Sequence, residues 1–271
     1  MDELSAETIR AALRSECLGR QVLYQDRMDS TNSTAASLAR KGAADGFLVI
    51  ADEQTAGRGR LGRPWVAPRG GALLFSLVLR PHDSPLHKCP RGLDPRRAQA
   101  LTMVCSLGVR QAILETTGLA AQLKWPNDIL LDGRKAGGIL CELGLDGPRL
   151  AYAVVGIGLN VDMDARALPA EYRATSLSNE LGRHVPRLRL LCAALLYIEQ
   201  RYRSLLAGAP VVEEWAAALQ TIGQRVELST AEGMLEGIAE GVDADGALLL
   251  RLDSGQVRPV LVGDIAAPGP A

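Results

Sequence analysis

Apolar and polar positions follow two different periods along this chain, and the change of period divides it. Ala6, Ile9 and Leu13 recur at helical spacing and predict a short helix over Ser5–Leu13. Val22–Tyr24, Phe47–Ile50, Leu73–Leu79 and Ala151–Leu159 are apolar runs of strand length; the last reads as a central strand with Asn160 at its end. Asp29-Ser30-Thr31-Asn32-Ser33-Thr34 leads into Ala35–Lys41 with Gly42 behind, a helix start and stop. Capping needs one hydroxyl or amide, which leaves the others available to hydrogen-bond something else. Asp94-Pro95 opens a longer helix whose stripe carries Leu101, Val104, Cys105 and Ala112 until Gly118 ends it. Leu188, Leu191, Leu195, Ile198, Tyr202 and Leu205 mark a core helix over Pro186–Leu206, and Val211–Leu219 continues as another. After Gly223 the pattern shortens to Arg225–Leu228, Met234–Ala239, Ala247–Leu252 and Val257–Val262, separated by glycine turns. Hairpins at that spacing predict a small all-β barrel, so the expected division is residues 1–222 and 223–271.

Between two of the predicted strands lies Gln54–Trp65, Q-T-A-G-R-G-R-L-G-R-P-W, placed by its flanks at the edge of a sheet. Glycine lets backbone N–H groups approach a ligand, and arginine presents a planar fork of donors that matches carboxylate or phosphate oxygens. Gly57, Gly59 and Gly62 satisfy G-x-G-x-x-G, but a dinucleotide turn must open into a helix, and here Pro64, Pro68, Gly70 and Gly71 follow. A nucleic-acid segment would be longer or repeated, and a plain connector would not carry the ordering cost of this composition. The loop reads as an anion holder, with Trp65 offering a face for a base.

Charge and cysteine usage narrow the classes further. Thirty basic against 31 acidic residues leave a net charge of −1, so anion binding rests on local clusters. Five scattered cysteines without a C-x-x-C pair read as reduced thiols. His82, His87 and Cys89 lack a fourth ligand and do not make a metal site. No apolar run reaches membrane-spanning length, and the expected location is cytoplasmic.

A second dense stretch runs from Leu123 to Leu143. Asp132-Gly133 between Ile129-Leu130-Leu131 and Ile139-Leu140-Cys141 marks a hairpin, placing Lys124, Asn127, Asp128 and Lys135 around one turn-rich edge. Lys135 precedes Ala136-Gly137-Gly138, where missing side chains allow close approach.

Taken together, S-T-N at Ser30–Asn32, the Gln54–Trp65 loop, K-W-P-N-D at Lys124–Asp128, R-K-A-G-G-I-L at Arg134–Leu140 and G-I-G-L-N at Gly156–Asn160 resemble the biotin–protein ligases, in order and spacing, from about Val22 to the C-terminus. The resemblance implies an α+β fold, a mixed sheet with helices like that of class II aminoacyl-tRNA synthetases, followed by an SH3-like β-barrel. It implies that biotin carboxylate attacks the α-phosphate of ATP and that a lysine of a biotin carboxyl carrier protein domain then displaces AMP. Lys135, Arg58 and Arg60 carry over as the catalytic set. Ser30, Thr31, Asn32, Gln54, Arg58, Gly59, Arg60 and Lys135 carry over to biotin. Arg58, Arg60, Arg63, Trp65, Lys124, Asn127, Lys135 and Asn160 carry over to ATP or the adenylate. Asp128 is the metal candidate; direct contact with Mg²⁺, ordering of Lys124 and a structural role all stay open. ATP and Mg²⁺ enter as a substrate complex and biotin as substrate, with no prosthetic group expected. A homodimer is compatible with the resemblance. The chain begins almost at the catalytic domain, so DNA binding and membrane attachment are not expected. A lipoyl or octanoyl ligase shares the fold but is not expected to combine this arginine loop with K-W-P-N-D. A biotin sensor without enzymatic work does not explain Lys135.

Overall fold

The computed structural model describes residues 4–86, 93–169 and 172–265. In chain order the elements are α1 (Ala6–Ala12), β1 (Val22–Met28), α2 (Thr31–Arg40), β2 (Phe47–Gln54), β3 (Ala72–Leu79), α3 (Gln99–Thr117), β4 (Gln122–Lys124), β5 (Asp128–Leu131), β6 (Arg134–Asp146) and β7 (Arg149–Asn160). They continue with α4 (Leu177–Leu181), α5 (Arg187–Leu206), α6 (Val212–Ala218), β8 (Arg225–Thr230), β9 (Gly233–Val242), β10 (Leu248–Arg251), β11 (Val257–Val260) and β12 (Asp264–Ile265).

The first seven strands form one sheet in the order β1-β2-β3-β7-β6-β5-β4. Only β1 and β2 run parallel, and a parallel pair needs a crossover, which α2 supplies. β3 is buried along its whole length because both faces of the sheet are covered there, hence the apolar run Leu73–Leu79 with Ser76 as its one polar residue. On one face Ile50, Phe75, Ile157 and Ile139 stand side by side in register across four strands. They join a large core with α3 and α5, whose axes approach closely: a Cβ on Gly108 would lie 2.5 Å from Ile198 Cγ1. On the other face α2 covers only part of the sheet, packing Ala35 and Ala39 against Val49, Val78 and Val154. Beyond α2 that face carries Gly156 and Gly158 on β7 and Gly138 on β6, flanked by Leu74 of β3 and Leu140 of β6.

The five-stranded antiparallel sheet, in the order β11-β10-β9-β8-β12, follows. It is sewn to the first unit by Trp125, whose ring N–H donates to Gly246 O (3.0 Å) and whose backbone N–H donates to Thr221 Oγ1 (3.0 Å). Val226, Leu228, Leu248 and Leu250 share the same apolar core as the large sheet.

Three expectations need correction. The Gln54–Trp65 loop does not lie at the sheet's edge, because β1 pairs outside β2 and makes β2 and β3 the second and third strands. The helix after the S-T-N run begins at Thr31 with Ser30 as its cap, so Thr31 and Asn32 are first-turn residues. The small domain closes with β12, two residues beyond the last predicted run, paired with β8. Of the His82, His87 and Cys89 trio, the last two lie outside the described residues; among the described residues no group of three His, Cys, Asp or Glu side chains is placed to hold a metal. No described helix is long and apolar enough to cross a membrane.

Candidate functional site

The bare part of the sheet is a floor made of glycine. Gly158 pairs with Gly138 and Gly156 with Leu140 across β7 and β6, and Ser76 of β3 lies opposite Gly156. Other side chains close down on these positions. A Cβ on Gly156 would lie 2.0 Å from Asn32 Oδ1, and one on Gly158 would lie 2.7 Å from Trp65 Cε2. Both glycines are therefore required for Asn32 and Trp65 to lie flat on the strand backbone.

At the α2 end of this trough a polar network is assembled from four elements, α2, β2, β3 and β6. The Thr31 N–H and hydroxyl both donate to Gln54 Oε1, at 2.7 and 3.0 Å. The Ser76 hydroxyl lies 2.8 Å from Thr31 Oγ1 and 2.6 Å from Asn32 Oδ1. Asn32 Nδ2 donates to Glu142 Oε2 at 2.8 Å and to Leu140 O at 3.3 Å. Each side chain is fixed by at least one partner, which sets the asparagine's amide orientation, O toward Ser76 and N toward Glu142. Ser30 is spent on capping, its hydroxyl accepting from the Ser33 N–H at 3.4 Å.

Lys135 reaches the floor through a defect in strand pairing. Ile129 pairs with Gly137 but Leu130 with Lys135, leaving Ala136 as an extra residue. Such a bulge reverses the faces on its far side, so Ala136 points into the core, fully buried, and Lys135 points into the trough. There its Nζ lies 2.7 Å from Asp128 Oδ1 and 5.9 Å from the centroid of the Trp65 ring. Its backbone is clamped as well: Lys135 N–H donates to Arg173 O (2.8 Å) and Thr175 N–H donates to Lys135 O (2.9 Å). Buried Asn160 secures this clamp, donating to Thr175 O at 2.9 Å.

The glycine-arginine loop folds over the trough as a small bridge. Gly59 N–H donates to Arg63 O (2.7 Å) and Trp65 N–H to Gly57 O (2.9 Å). Its arginines diverge. Arg58 turns toward α2, where its Nη2 donates to Ser33 Oγ (3.3 Å) and to Glu142 (3.1 Å). Arg60 turns the other way, donating to Asn127 Oδ1 (3.4 Å) and Gly263 O (3.1 Å). Arg63 pairs with Asp264, and Lys124 Nζ donates to Ile265 O at 3.1 Å. Burial pushes the Arg60 guanidinium and the Lys124 ammonium below their ordinary pKa values, opposed by the negative charges of Asp264 and Asp128. Asn127 is held by its own donation to Ile139 O (2.7 Å). The indole N–H of Trp65 is buried without a hydrogen-bond partner among the described residues.

The candidates from the sequence thus fall into a polar group (Thr31, Asn32, Gln54), a central pair (Lys135, Asp128) under Trp65, and a cationic group (Arg60, Arg63, Lys124, with Asn127) facing the small domain. Ser30 and Asn160 stand one layer back. Pattern reading missed Ser76, Glu142 and the 263–265 segment. The first two had a weak signal, each being the lone polar residue inside an otherwise apolar run, Leu73–Leu79 and Ile139–Leu143. The third had none, because its role depends on how the two sheets meet.

This arrangement has known counterparts. The model of the biotin/lipoate A/B protein ligase family matches residues 24–160, and that of the biotin protein ligase C-terminal domain matches residues 221–266. The bifunctional ligase/repressor BirA of Bacillus subtilis is 37% identical over 267 residues, covering 97% of this chain and 79% of that protein. A biotin–acetyl-CoA-carboxylase ligase of Paracoccus denitrificans is 38% identical over 242 residues, covering 86% and 95%. Among solved structures, the biotin protein ligase from Aquifex aeolicus in complex with biotin and ATP superimposes with a TM-score of 0.73 at 29% identity, over 91% of this chain and 97% of that one.

Proposed function

The chain belongs to the biotin/lipoate A/B protein ligase family, and on that premise we propose that it joins biotin to one lysine of a biotin carboxyl carrier protein through biotinyl-5′-adenylate. The placement of Lys135 carries this reading: a strand bulge, two backbone clamps and an ion pair with Asp128 all serve to hold one ammonium over a floor of glycine. In the first step a biotin carboxylate oxygen attacks the α-phosphorus of ATP and the bond to pyrophosphate breaks. Both partners are anionic, so fixed cations aimed at the reacting oxygens stabilise the transition state more than the separated substrates. Lys135 takes the carboxyl and α-phosphoryl oxygens. Arg58, Arg60 and Arg63 take the remaining anionic groups, with Gly59 letting the loop come close to them, and Lys124, Asn127 and Asn160 shape the nucleotide side, with Trp65 as the surface for the base.

Thr31, Asn32 and Gln54, with Ser30 behind them, are the polar head group's partners, because the ureido ring of biotin needs donors and acceptors at the end of a largely apolar slot. The aliphatic chain lies along the glycine floor. In the second step the carrier lysine's amine attacks the acyl carbon of the mixed anhydride, AMP departs with the bonding pair, and the amine loses its proton to solvent or phosphate. Mg²⁺, bound with ATP, would supply charge shielding of the phosphates, and Asp128 is the residue that would face it. The donor set fits such an ion: one carboxylate, Asp128, stands on the floor, and magnesium bound with phosphates needs only one or two. Residues 1–222 form the catalytic unit and 223–271 the small domain that closes its cationic end.

Incubation with biotin, ATP, Mg²⁺ and a carrier domain should add one biotinyl group to one carrier lysine and release pyrophosphate, read by intact mass and a phosphate assay. A carrier of unchanged mass with no pyrophosphate overturns the reading. Transfer of lipoyl or octanoyl groups in its place would put the chain with a different branch of the family.

A further inference from the structure

Among the described residues, Glu142 is the one carboxylate that touches both the polar end of the trough and the glycine-arginine loop. It lies on β6 at the edge of the glycine floor, opposite Val154. Its Oε2 accepts from Asn32 Nδ2 at 2.8 Å and from Arg58 Nη2 at 3.2 Å, while its Oε1 lies 3.1 Å from the same Arg58 nitrogen. Arg58 adds a bond from Nη2 to Ser33 Oγ (3.3 Å), the residue next to Asn32 on α2. These contacts all use Nη2, so the fork is anchored by one corner. Glu142 also lines a cavity of about 310 Å³ together with Ser33, Arg40, Arg58 and Tyr152, which gives an unanchored Arg58 room to swing away from the trough.

We propose that Glu142 is a positioning residue for the ligase reaction: it holds Arg58 and Asn32 together, so that the polar head site and the loop over the reacting groups are set by one shared carboxylate. The proposal rests on the biotin ligase reading above. The Arg58–Glu142 pair alone has too much solvent around it to fix a loop, since its side chains are 46% and 36% exposed and such pairs are screened. The bond from Asn32 is different. It is partly buried, charge-assisted, and continuous with Ser76, Thr31 and Gln54. Anything that orders that network orders Glu142, and through it Arg58. Asn32 cannot shift downward to compensate, because its Oδ1 already rests on the backbone of Gly156.

Two substitutions separate the two contacts. Glu142→Gln keeps an oxygen able to accept from Asn32 but loses the charge on Arg58. Glu142→Ala loses both. With biotin, ATP, Mg²⁺ and carrier, Glu142→Gln should leave the KM for biotin within about threefold, because neutral acceptors replace charged ones at modest cost. It should nevertheless release adenylate several-fold faster, read as biotin transferred to serum albumin. Glu142→Ala should raise the KM for biotin by about tenfold or more, the size expected for loss of a charge-assisted bond. A cycle with Arg58→Gln should show that adding Glu142→Gln to it changes adenylate release no further. Independently of activity, trypsin cleavage after Arg58 in the ligand-free protein should quicken in Glu142→Gln. The proposal is overturned if both variants match the wild type in biotin KM, albumin labelling and cleavage rate. It is equally overturned if both lose activity in proportion to a drop in Tm, with no split between KM and adenylate release. A wild type that fails to biotinylate while Glu142→Gln still speeds cleavage would overturn the ligase reading and leave the clasp between Glu142 and Arg58 standing.

Discussion

The two faces of the large sheet are built from the same strands and could hardly differ more. Across β2, β3, β7 and β6 one face reads Ile50, Phe75, Ile157, Ile139, and the other reads Val49, Ser76, Gly156, Leu140 one residue away. The first is filled by α3 and α5 and contributes stability, each fully buried large side chain being worth roughly 1.5–3 kcal/mol. The second is filled at one end by α2 and elsewhere thinned by Gly138, Gly156 and Gly158, so that Asn32, Trp65 and Lys135 can lie close to the strands. Room for Asn32 and Trp65 here comes from side chains left out. The strands bear that loss because the opposite face is so heavily packed.

Breaking the comparison at its chemical centre should have the largest effect. Lys135→Ala removes the cation from the open face without touching the core, and adenylate formation should fall by a factor on the order of 10² or more while biotin binding falls less. Pyrophosphate release in single turnover, beside biotin titration, separates the two; equal losses would make Lys135 a binding residue only. Next come two glycine-to-alanine changes with opposite signatures. Gly156→Ala puts a methyl 2.0 Å from Asn32 Oδ1, displacing the polar network. Biotin affinity should drop by about one to two orders of magnitude with little change in Tm, an effect in the range of a lost or misplaced polar contact in a buried site. Wild-type affinity in that variant would mean the floor is not where the head group sits.

Gly108→Ala tests the core face. The new methyl would lie 2.5 Å from Ile198 Cγ1 and 2.8 Å from Ile198 N, so backbone must move. Overpacking costs about 1–3 kcal/mol, against which alanine's better helix propensity returns about 0.8–1 kcal/mol. Denaturant melts should show a net loss of stability, while KM values of the folded enzyme stay as they were. A change in KM without a change in stability would mean the two faces are coupled. The smallest expected effect is a shift with pH. Burial lowers the Lys124 pKa, and its cation is present only below that value, so its support for ATP should fade as pH rises, earlier than for an ordinary lysine. The KM for ATP should climb on the alkaline side in the wild type and less so in Lys124→Arg, whose guanidinium stays charged. Superimposable pH profiles would remove Lys124 from the nucleotide site.

Much of the open face was legible in advance because glycines, arginines and a lysine in motif order are strong local signals. Gln54–Trp65 and Lys124–Leu140 stand out in the sequence, and the structure brings Trp65, Asp128 and Lys135 from these two stretches together on the open face. Ser76 did not, since a serine within Leu73–Leu79 reads as a tolerated polar residue until the sheet shows Gly156 opposite it and Asn32 above it. Lys135 is the instructive middle case. Its importance could be read from Ala136-Gly137-Gly138 behind it, but simple alternation does not tell which face it takes, and a single unpaired residue in the β5–β6 ladder settles that.

What the sequence determined by itself were the things set within one element or one turn. These include a helix after the Asp29–Thr34 run, the strands at Leu73–Leu79 and Ala151–Leu159, the Asp132-Gly133 hairpin and the change to short strands after Gly223. Local propensity, capping and hydrophobic period act over a few residues and leave their mark there. What only the tertiary structure decided were the pairings between distant segments: Glu142 with Asn32 and Arg58, Thr31 with Gln54, and Arg60, Arg63 and Lys124 with residues 263–265. Such contacts join positions from 23 to 203 residues apart in the chain. They are fixed by strand order and by how two sheets pack through Trp125, and no window of sequence contains either.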